Sequence, residues 1–118
     1  MKILMTSEGT VVASATLDDN ESARHFATLL PLKLVLKDYA ATEKVADLPS
    51  ALPTSGAPPG YTPSAGDLSY YAPWGNLAIF HRGFTYSSGL IRLGRLETGL
   101  DAMRKTGSLT VVLTRELP

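Results

Sequence analysis

The fold is decided by residues 66–94, which read GDLSYYAPWGNLAIFHRGFTYSSGLIRLG. Short apolar runs alternate here with glycine, proline and asparagine, a pattern that predicts paired strands joined by turns. The segment also contains the only tryptophan, Trp74, and the tyrosines Tyr70, Tyr71 and Tyr86. Aromatic side chains bury large areas and frequently line binding grooves. We therefore expect this segment to contribute aromatic residues to a ligand-binding surface.

Length and composition restrict the class of protein. A chain of 118 residues is expected to form a single domain over residues 1–118. Cysteine is absent, which excludes disulfides and thiolate metal sites, and we expect neither a metal nor another cofactor. Eleven basic residues balance eleven acidic ones and are scattered, which argues against nucleic acid as a partner.

Hydropathy gives an expected location. No apolar run approaches the ~20 residues that a membrane-spanning helix needs. The N-terminus turns polar after its first five residues, too early for a signal peptide. The sequence therefore predicts a cytoplasmic protein without a membrane partner, and it leaves the oligomeric state open.

The first third of the chain predicts a hairpin, a helix and a strand. Residues 2–6 and 10–17 alternate around a short turn with glycine, which predicts a β-hairpin with Val11 on the same face as Ala13, Ala15 and Leu17. A polar cluster then suits a helix start, and apolar residues recur at helical spacing up to Pro31. Residues 32–36 alternate again and predict a half-exposed strand.

Residues 41–66 predict a long loop. Five of the eight prolines lie here, and proline lacks the donor that a regular ladder needs. At most a helical turn is expected, over residues 43–48. Glu43 has two interpretations: a charge in a solvated cluster with Lys44 and Asp47, or a ligand contact, because long loops in small domains are often functional.

The rest of the chain predicts further strands and one helix. The strands are expected over residues 67–71, 77–82, 90–96 and 109–113. Thr98 precedes Asp101 by three residues, which resembles a capping box at the start of a short helix. Seven or eight strands with two short helices favour a closed barrel, because closure leaves no strand edge unpaired.

The order of these elements resembles the cyclophilin fold. Residues 66–69, GDLS, stand where cyclophilins have a glycine, a variable residue, Leu and Ser at the start of a barrel strand. Residues 90–103 look like the family's strand that runs into a helix. The stretches YYAPWGNLAIF, YSSGLIRLGRLE and TEKVADLP resemble small uncharacterised bacterial cyclophilin-like proteins over nearly the whole chain. The resemblance implies a mainly β fold, a closed eight-stranded barrel with two short capping helices.

Most catalytic residues of the prolyl isomerases have no counterpart in this sequence. Those enzymes use an arginine near the substrate carbonyl and a phenylalanine pocket for proline. Phe80-His81-Arg82 repeats a family triplet, but it follows the long loop instead of the first helix, which favours coincidence. When residues 75–80, GNLAIF, are aligned with the family's Gly-Ser-Gln-Phe-Phe-Ile motif, Leu77 stands at the usual glutamine and Ile79 at the second phenylalanine. The barrel is therefore expected to be retained and its catalytic set to be substituted.

Two functions remain open from the sequence. The first is a binding domain for an extended peptide or a small apolar ligand. Tyr70 and Tyr71 face opposite sides of their strand, so one is expected to pack in the core. Trp74 is expected either to recognise a ligand or to cover a barrel end. The predicted ligand-binding residues are Tyr70, Tyr71, Trp74, Tyr86 and Glu43.

The second function is a weak peptidyl-prolyl cis-trans isomerase. Catalysis of this isomerisation needs no nucleophile, metal or proton transfer, so one well-placed hydrogen-bond donor in an apolar pocket would lower the barrier. The candidate donors are Arg82, Arg92 and Arg95, and the alternative for each is a solvated charge on the barrel exterior. Arg92 and Arg95 are expected on opposite faces of one strand, so they would not serve the same pocket.

Overall fold

The computed structural model describes residues 1–117. The elements are β1 (Lys2–Ser7), β2 (Thr10–Leu17), α1 (Glu21–Thr28), β3 (Leu32–Tyr39), β4 (Glu43–Asp47), β5 (Gly60–Tyr61), β6 (Asp67–Tyr71), β7 (Asn76–Phe80), β8 (Ser87–Ser88), β9 (Leu90–Thr98), α2 (Leu100–Arg104) and β10 (Leu109–Arg115). Eight of the strands form one closed antiparallel barrel, in the order β1-β10-β3-β4-β7-β6-β9-β2, and β5 pairs with β8 in a separate ribbon. The predicted eight-stranded barrel with two short helices is confirmed.

Alternate residues of the strands fill the barrel interior. This follows from the period of two along a strand, which sends every second side chain to the same face. Each helix adds a large, fully buried side chain to this core, Phe26 from α1 and Met103 from α2. Neither helix is long or apolar enough to span a membrane. The larger apolar strand residues that are fully buried, apart from the aromatic ones, are Ile3, Met5, Leu36, Leu68, Leu77, Ile79, Leu93, Val111 and Leu113.

Residues 43–47 form strand β4, and the predicted helical turn at this place is wrong. The strand pairs with β7 from Glu43 opposite Phe80 to Asp47 opposite Asn76. It also pairs with the end of β3. Without β4, two long strands would present unpaired edges, so closing the barrel outweighs the weak local signal of five residues.

The predicted face of Val11 is also wrong. Between β1 and β2 the register shifts, so that Met5 pairs with Ala13 while Thr6 pairs with Val11. One extra residue, Val12, therefore lies in β2 at this point, as in a β-bulge. The bulge reverses the alternation, so that Val11 is exposed and Val12 packs against the core.

The second helix begins differently from the predicted capping box. Its N-cap is Gly99, which has a left-handed φ of 97° and no capping side chain. The Thr98 hydroxyl instead hydrogen-bonds with the hydroxyl of Ser14 on the neighbouring strand, at 2.8 Å. The backbone here is also crowded, because a Cβ on Gly99 would lie 2.4 Å from the Val12 carbonyl oxygen. Only glycine fits both the torsion and the space.

Gly99→Ala is expected to destabilise the protein by about 2 kcal/mol more than Gly9→Ala. Gly9 has a similar positive φ of 80°, but a Cβ added to it would meet nothing within 4 Å. Both variants therefore share the left-handed strain, and only Gly99→Ala adds the clash. Chemical denaturation of the two variants measures the difference. Equal losses would contradict the close approach of β2 to this helix start.

Lys44 is fully buried at one end of the barrel interior, which excludes the interpretation of a solvated charge cluster. Its ammonium donates to the Asp38 carboxylate at 2.6 Å and to the Lys105 carbonyl at 2.7 Å. It also donates to the Gly107 carbonyl. The same carboxylate accepts from the Gly107 amide at 2.6 Å. One lysine thus ties β3 and β4 to the loop between α2 and β10.

Part of the barrel is buried on its outer side as well. Ala78, Phe80 and Leu90 point outwards and form a second small apolar cluster with the side chains of Val45, Tyr61 and Tyr71. The segments that carry β5 and β8 lie over this surface and cover it. Strand β7 is therefore buried along its whole length, which explains its unbroken apolar run.

Candidate functional site

Two cavities lie on the covered outer side of the barrel and share Leu90. The first, of about 340 Å³, is called the aromatic cavity and is lined by Tyr39, Glu43, Tyr71, Trp74, Asn76, Phe80, Phe84, Ser87, Ser88 and Leu90. The second, of about 310 Å³, is called the Arg92 cavity and is lined by Asp18, Asn20, Glu21, Ser22, Ser55, Gly56, Ala57, Pro58, Gly60, Tyr61, Leu90, Ile91 and Arg92.

Three rings form a corner of the aromatic cavity. Trp74 stands nearly perpendicular to Tyr39, with ring centroids 5.4 Å apart and an angle of 87°. It stands likewise to Tyr71, at 5.3 Å and 81°. The turn between β6 and β7 holds Trp74 in place, since the Tyr71 carbonyl accepts from both the Trp74 and Gly75 amides. Edge-to-face contacts of this kind are favoured by the ring quadrupoles.

A carboxylate and a carboxamide complete the lining. Glu43 is only 9% exposed, and its Oε2 accepts from the Thr42 hydroxyl at 3.0 Å. Burial raises the pKa of the Glu43 carboxyl, and the Thr42 hydrogen bond offsets only part of that effect. Asn76 is 5% exposed, and its Oδ1 has no hydrogen-bond partner among the described residues. Both side chains are hydrogen-bond acceptors inside an otherwise largely aromatic site.

The Arg92 cavity is organised by an ion pair. Arg92 Nε lies 3.0 Å from Asp18 Oδ2, and its side chain is about half-exposed. The Asn20 side chain both caps α1, by accepting from the Ala23 amide at 2.8 Å, and donates to the Arg92 carbonyl at 3.0 Å. The guanidinium therefore already has an acidic partner, which reduces its capacity to bind an anion or to polarise a carbonyl.

Tyr61 anchors the covering loop to the barrel between the two cavities. Its hydroxyl donates to Asp67 Oδ2 at 3.2 Å and forms a close hydrogen bond with Ser69 Oγ. Asp67 Oδ2 also accepts from the Ser64 amide at 2.9 Å. Burial raises the pKa of the Tyr61 phenol far above its ordinary value, so that it stays protonated and serves as a structural donor.

Sequence and structure comparisons agree with this architecture. The sequence profile of the Cyclophilin-like family matches residues 5–114. The chain belongs to the Cyclophilin-like family. A solved structure with the same fold is the solution structure of the hypothetical protein AF2241 from Archaeoglobus fulgidus. It is 20% identical, with a TM-score of 0.71, and the match covers 98% of this chain and 95% of that chain. The search of curated proteins gave no match.

The cyclophilin-like barrel distributes the predicted ligand-binding residues over three places. Glu43, Tyr71 and Trp74 line the aromatic cavity together. Tyr70 instead lies in the core, 2% exposed, because alternation along β6 turns it inwards when Tyr71 faces outwards. Tyr86 is exposed and lines neither cavity, and its hydroxyl lies against the ribbon of β5 and β8 near Gly60.

The three candidate arginines of this cyclophilin-like protein lie apart from one another and outside the aromatic cavity. Arg92 lines the Arg92 cavity, whereas Arg95 lines a separate shallow cleft beside Gly99. Arg82 is exposed, next to the buried His81. Burial first, and then the Arg82 charge, lowers the pKa of the His81 imidazole. The lining of the aromatic cavity contains no guanidinium.

Sequence reasoning missed several lining residues. Tyr39 is brought beside Glu43 only by the pairing of β3 with β4, and the sequence predicts a loop where the second of these strands lies. Asn76 and Phe80 lie in β7. In the sequence Asn76 stands next to a turn and Phe80 ends an apolar run, and neither position predicted a role in binding. Phe84 stacks on Phe80 with centroids 6.4 Å apart. The density of aromatic residues between positions 70 and 86 was the signal available for this group.

Trp74→Ala is expected to lower the free energy of unfolding by less than about 1 kcal/mol, because only its edge-to-face contacts are lost. The indole is 56% exposed and contributes nothing to the barrel interior. Tyr70→Ala is the matched control, and it is expected to cost about 3 kcal/mol or more, as a fully buried ring. Thermal unfolding of both variants measures the contrast. A large loss for Trp74→Ala would make the indole a structural element.

Proposed function

We propose that this cyclophilin-like domain is a binding module, which holds an extended peptide or a small apolar ligand in the aromatic cavity without efficient catalysis. The observation that carries the proposal is the lining of that cavity, where five aromatic rings surround about 340 Å³ and no arginine is present. Ligand sites are typically concave, mostly apolar and supplied with a few polar groups for orientation. Serines of β8 at the rim, with their backbone groups, suit an extended chain.

The substituted positions support binding over catalysis. Leu77 and Ile79, which align with a glutamine and a phenylalanine of the isomerases, are fully buried in the barrel interior. Neither side chain can therefore touch a ligand on the outer surface. The aromatic cavity offers surface area and acceptors, whereas catalysis by the family's mechanism would need a donor at the prolyl carbonyl.

Fluorescence of Trp74 tests the binding role, because it is the only tryptophan. Short extended peptides, with and without proline, are titrated into the full chain, and the emission of Trp74 is followed. We expect saturable changes with some of these peptides and at least a tenfold loss of affinity in Tyr71→Ala, about 1.4 kcal/mol. Unchanged emission with every peptide, or equal affinities for the variant, would contradict the proposal.

A weak prolyl isomerase is the second candidate, and one observation favours it. The Arg92 guanidinium lies in the adjoining cavity, which shares Leu90 with the aromatic one. A ligand spanning both cavities would place a donor near its backbone. A protease-coupled assay on a short Xaa-Pro peptide tests this alternative. Isomerisation above background that disappears in Arg92→Ala would support it, whereas a background rate, or a rate unchanged in that variant, would exclude a role for Arg92.

A further inference from the structure

The aromatic cavity has an unusual balance of charge. Glu43 is its single charged lining residue, and no lysine or arginine accompanies it. The carboxylate has a neutral hydrogen-bond partner, the Thr42 hydroxyl, and it forms none of the ion pairs found in residues 1–117. A buried carboxylate without a cationic partner is costly for a folded protein, so a cation supplied from outside would be bound favourably.

Several other lining groups carry partial negative charge that attracts a cation. Aromatic rings present a negative π face, and cations are attracted to it within about 6 Å of the ring centre. Tyr39 and Tyr71 each stand perpendicular to Trp74, so the three rings lie in different orientations around one corner. Asn76 adds a buried carboxamide whose oxygen has no partner in the described chain. No lysine or arginine in this lining would balance the charge of an anionic ligand.

We infer that the aromatic cavity recognises a substituted ammonium group, with the rings of Tyr39, Tyr71 and Trp74 around the methylated nitrogen and Glu43 as its counter-ion. This inference rests on the proposed binding function and specifies the chemistry of its ligand. The cation is either a small quaternary amine or a methylated lysine of an extended peptide, which share this group.

A methylated ammonium suits the cavity better than an unsubstituted one. A primary ammonium is strongly hydrated and needs hydrogen-bond acceptors on all sides, which five aromatic rings do not provide. A quaternary ammonium loses little hydration and contacts rings through its methyl groups. One carboxylate then balances the charge without a direct hydrogen bond. The expected order of affinity is quaternary above primary amine, and both above a neutral analogue.

The test compares choline with 3,3-dimethyl-1-butanol, in which carbon replaces the charged nitrogen. Both are titrated into the full chain by calorimetry and by Trp74 fluorescence. Choline is expected to bind at least about tenfold more tightly than the neutral analogue. In Glu43→Gln the choline affinity should fall about tenfold, while the affinity for the neutral analogue stays within about twofold. Asp47→Asn is the control, because Asp47 lies on the same strand and is exposed outside the cavity.

The possible failures separate this inference from the binding function. Equal affinities for choline and its neutral analogue would overturn the charge selectivity and leave the cavity as a ligand site. The same holds if choline is without effect while peptides change Trp74 emission. If neither choline nor any peptide gives a binding signal, both proposals are overturned. An unchanged choline affinity in Glu43→Gln would overturn the role of the carboxylate. The affinities of choline and of a trimethyllysine peptide show which source of the cation binds more tightly. Equal affinities for that peptide and its unmethylated form would overturn the preference for a methylated ammonium.

Discussion

Lys44→Ala is expected to lower the free energy of unfolding by about 3 kcal/mol, the largest loss anticipated for any single charged residue of this chain. The variant removes the buried stem and leaves the carbonyls of Lys105 and Gly107 without their donor. It also releases Asp38, whose carboxylate holds the same loop. Urea denaturation at neutral pH measures the loss.

Lys33→Ala is the matched control, because Lys33 is exposed on neighbouring strand β3. Its loss should stay within about 0.5 kcal/mol, as for an ordinary surface substitution. Lys44→Met keeps most of the stem and is expected to lie between the two. If Lys44→Ala and Lys33→Ala were equally stable, the ammonium would have no part in closing this end of the barrel.

The ion pair of Lys44 with Asp38 also predicts how the stability of the protein depends on acidic pH. The hydrogen bond from Lys44, and then that from the Gly107 amide, lower the pKa of the Asp38 carboxyl below its ordinary 3.8. A lowered pKa means that the folded state favours the ionised form. The stabilisation is therefore present above pH ~4 and is lost as the pH falls through the lowered pKa. In Lys44→Met this part of the acid dependence should shrink, which a series of denaturation curves between about pH 2 and pH 5 would detect.

Glu43→Gln is expected to stabilise the protein at neutral pH, by between about 0.5 and 2 kcal/mol, while it weakens the proposed cation site. Burial raises the pKa of the Glu43 carboxyl, so folding favours its protonated form. Stability contributed by this group is present below its ordinary pKa and is lost as the pH rises through the raised one. Glutamine avoids that loss, because it is neutral at every pH.

The gain in stability of Glu43→Gln over the natural chain should therefore increase steadily with pH. The difference in unfolding free energy is largest near pH ~7 and approaches zero below pH ~4, where Glu43 is protonated. Other titrating groups near Glu43, the phenols of Tyr39 and Tyr71 among them, are present in both proteins and cancel in this difference. His81, whose backbone amide donates to Thr42, titrates in both proteins. A variant less stable than the natural chain at neutral pH would show that the carboxylate serves the fold.

The barrel was predictable because its strands carry their own signals. The alternating leucines of β3 indicate their buried face locally, and the hairpin of β1 and β2 does so except at its bulge, where Val11 is exposed. The order of the strands along the chain matches the family's topology. Strand β4 carries no such signal, since its five residues include Glu43 and the buried Lys44. Its conformation follows from pairing on both sides, with β3 across a short turn and with β7, which is distant in sequence.

The site was predictable only in part for the same reason. Tyr71 and Trp74 lie in the aromatic-rich segment, which predicts a ligand-binding surface. Glu43 was predicted as a ligand contact because it lies in the segment expected to form a long loop. Tyr39 joins them through strand pairing alone, at the position opposite Glu43. Tyr70 and Tyr71 are neighbours of identical type, and only the closure of the barrel determines which one faces the core. Contacts between distant strands decide such questions, and periodicity within one strand does not.

Backbone amide chemical-shift mapping by NMR most directly tests the claim that the aromatic cavity is where this cyclophilin-like domain binds. The full chain is titrated with choline and with the trimethyllysine peptide. The predicted result is a set of saturable shifts centred on Glu43, Tyr71 and Trp74, with those around Arg95, which lines a separate cleft, unchanged. Shifts confined to the Arg92 cavity, or spread over the barrel without saturation, would contradict it.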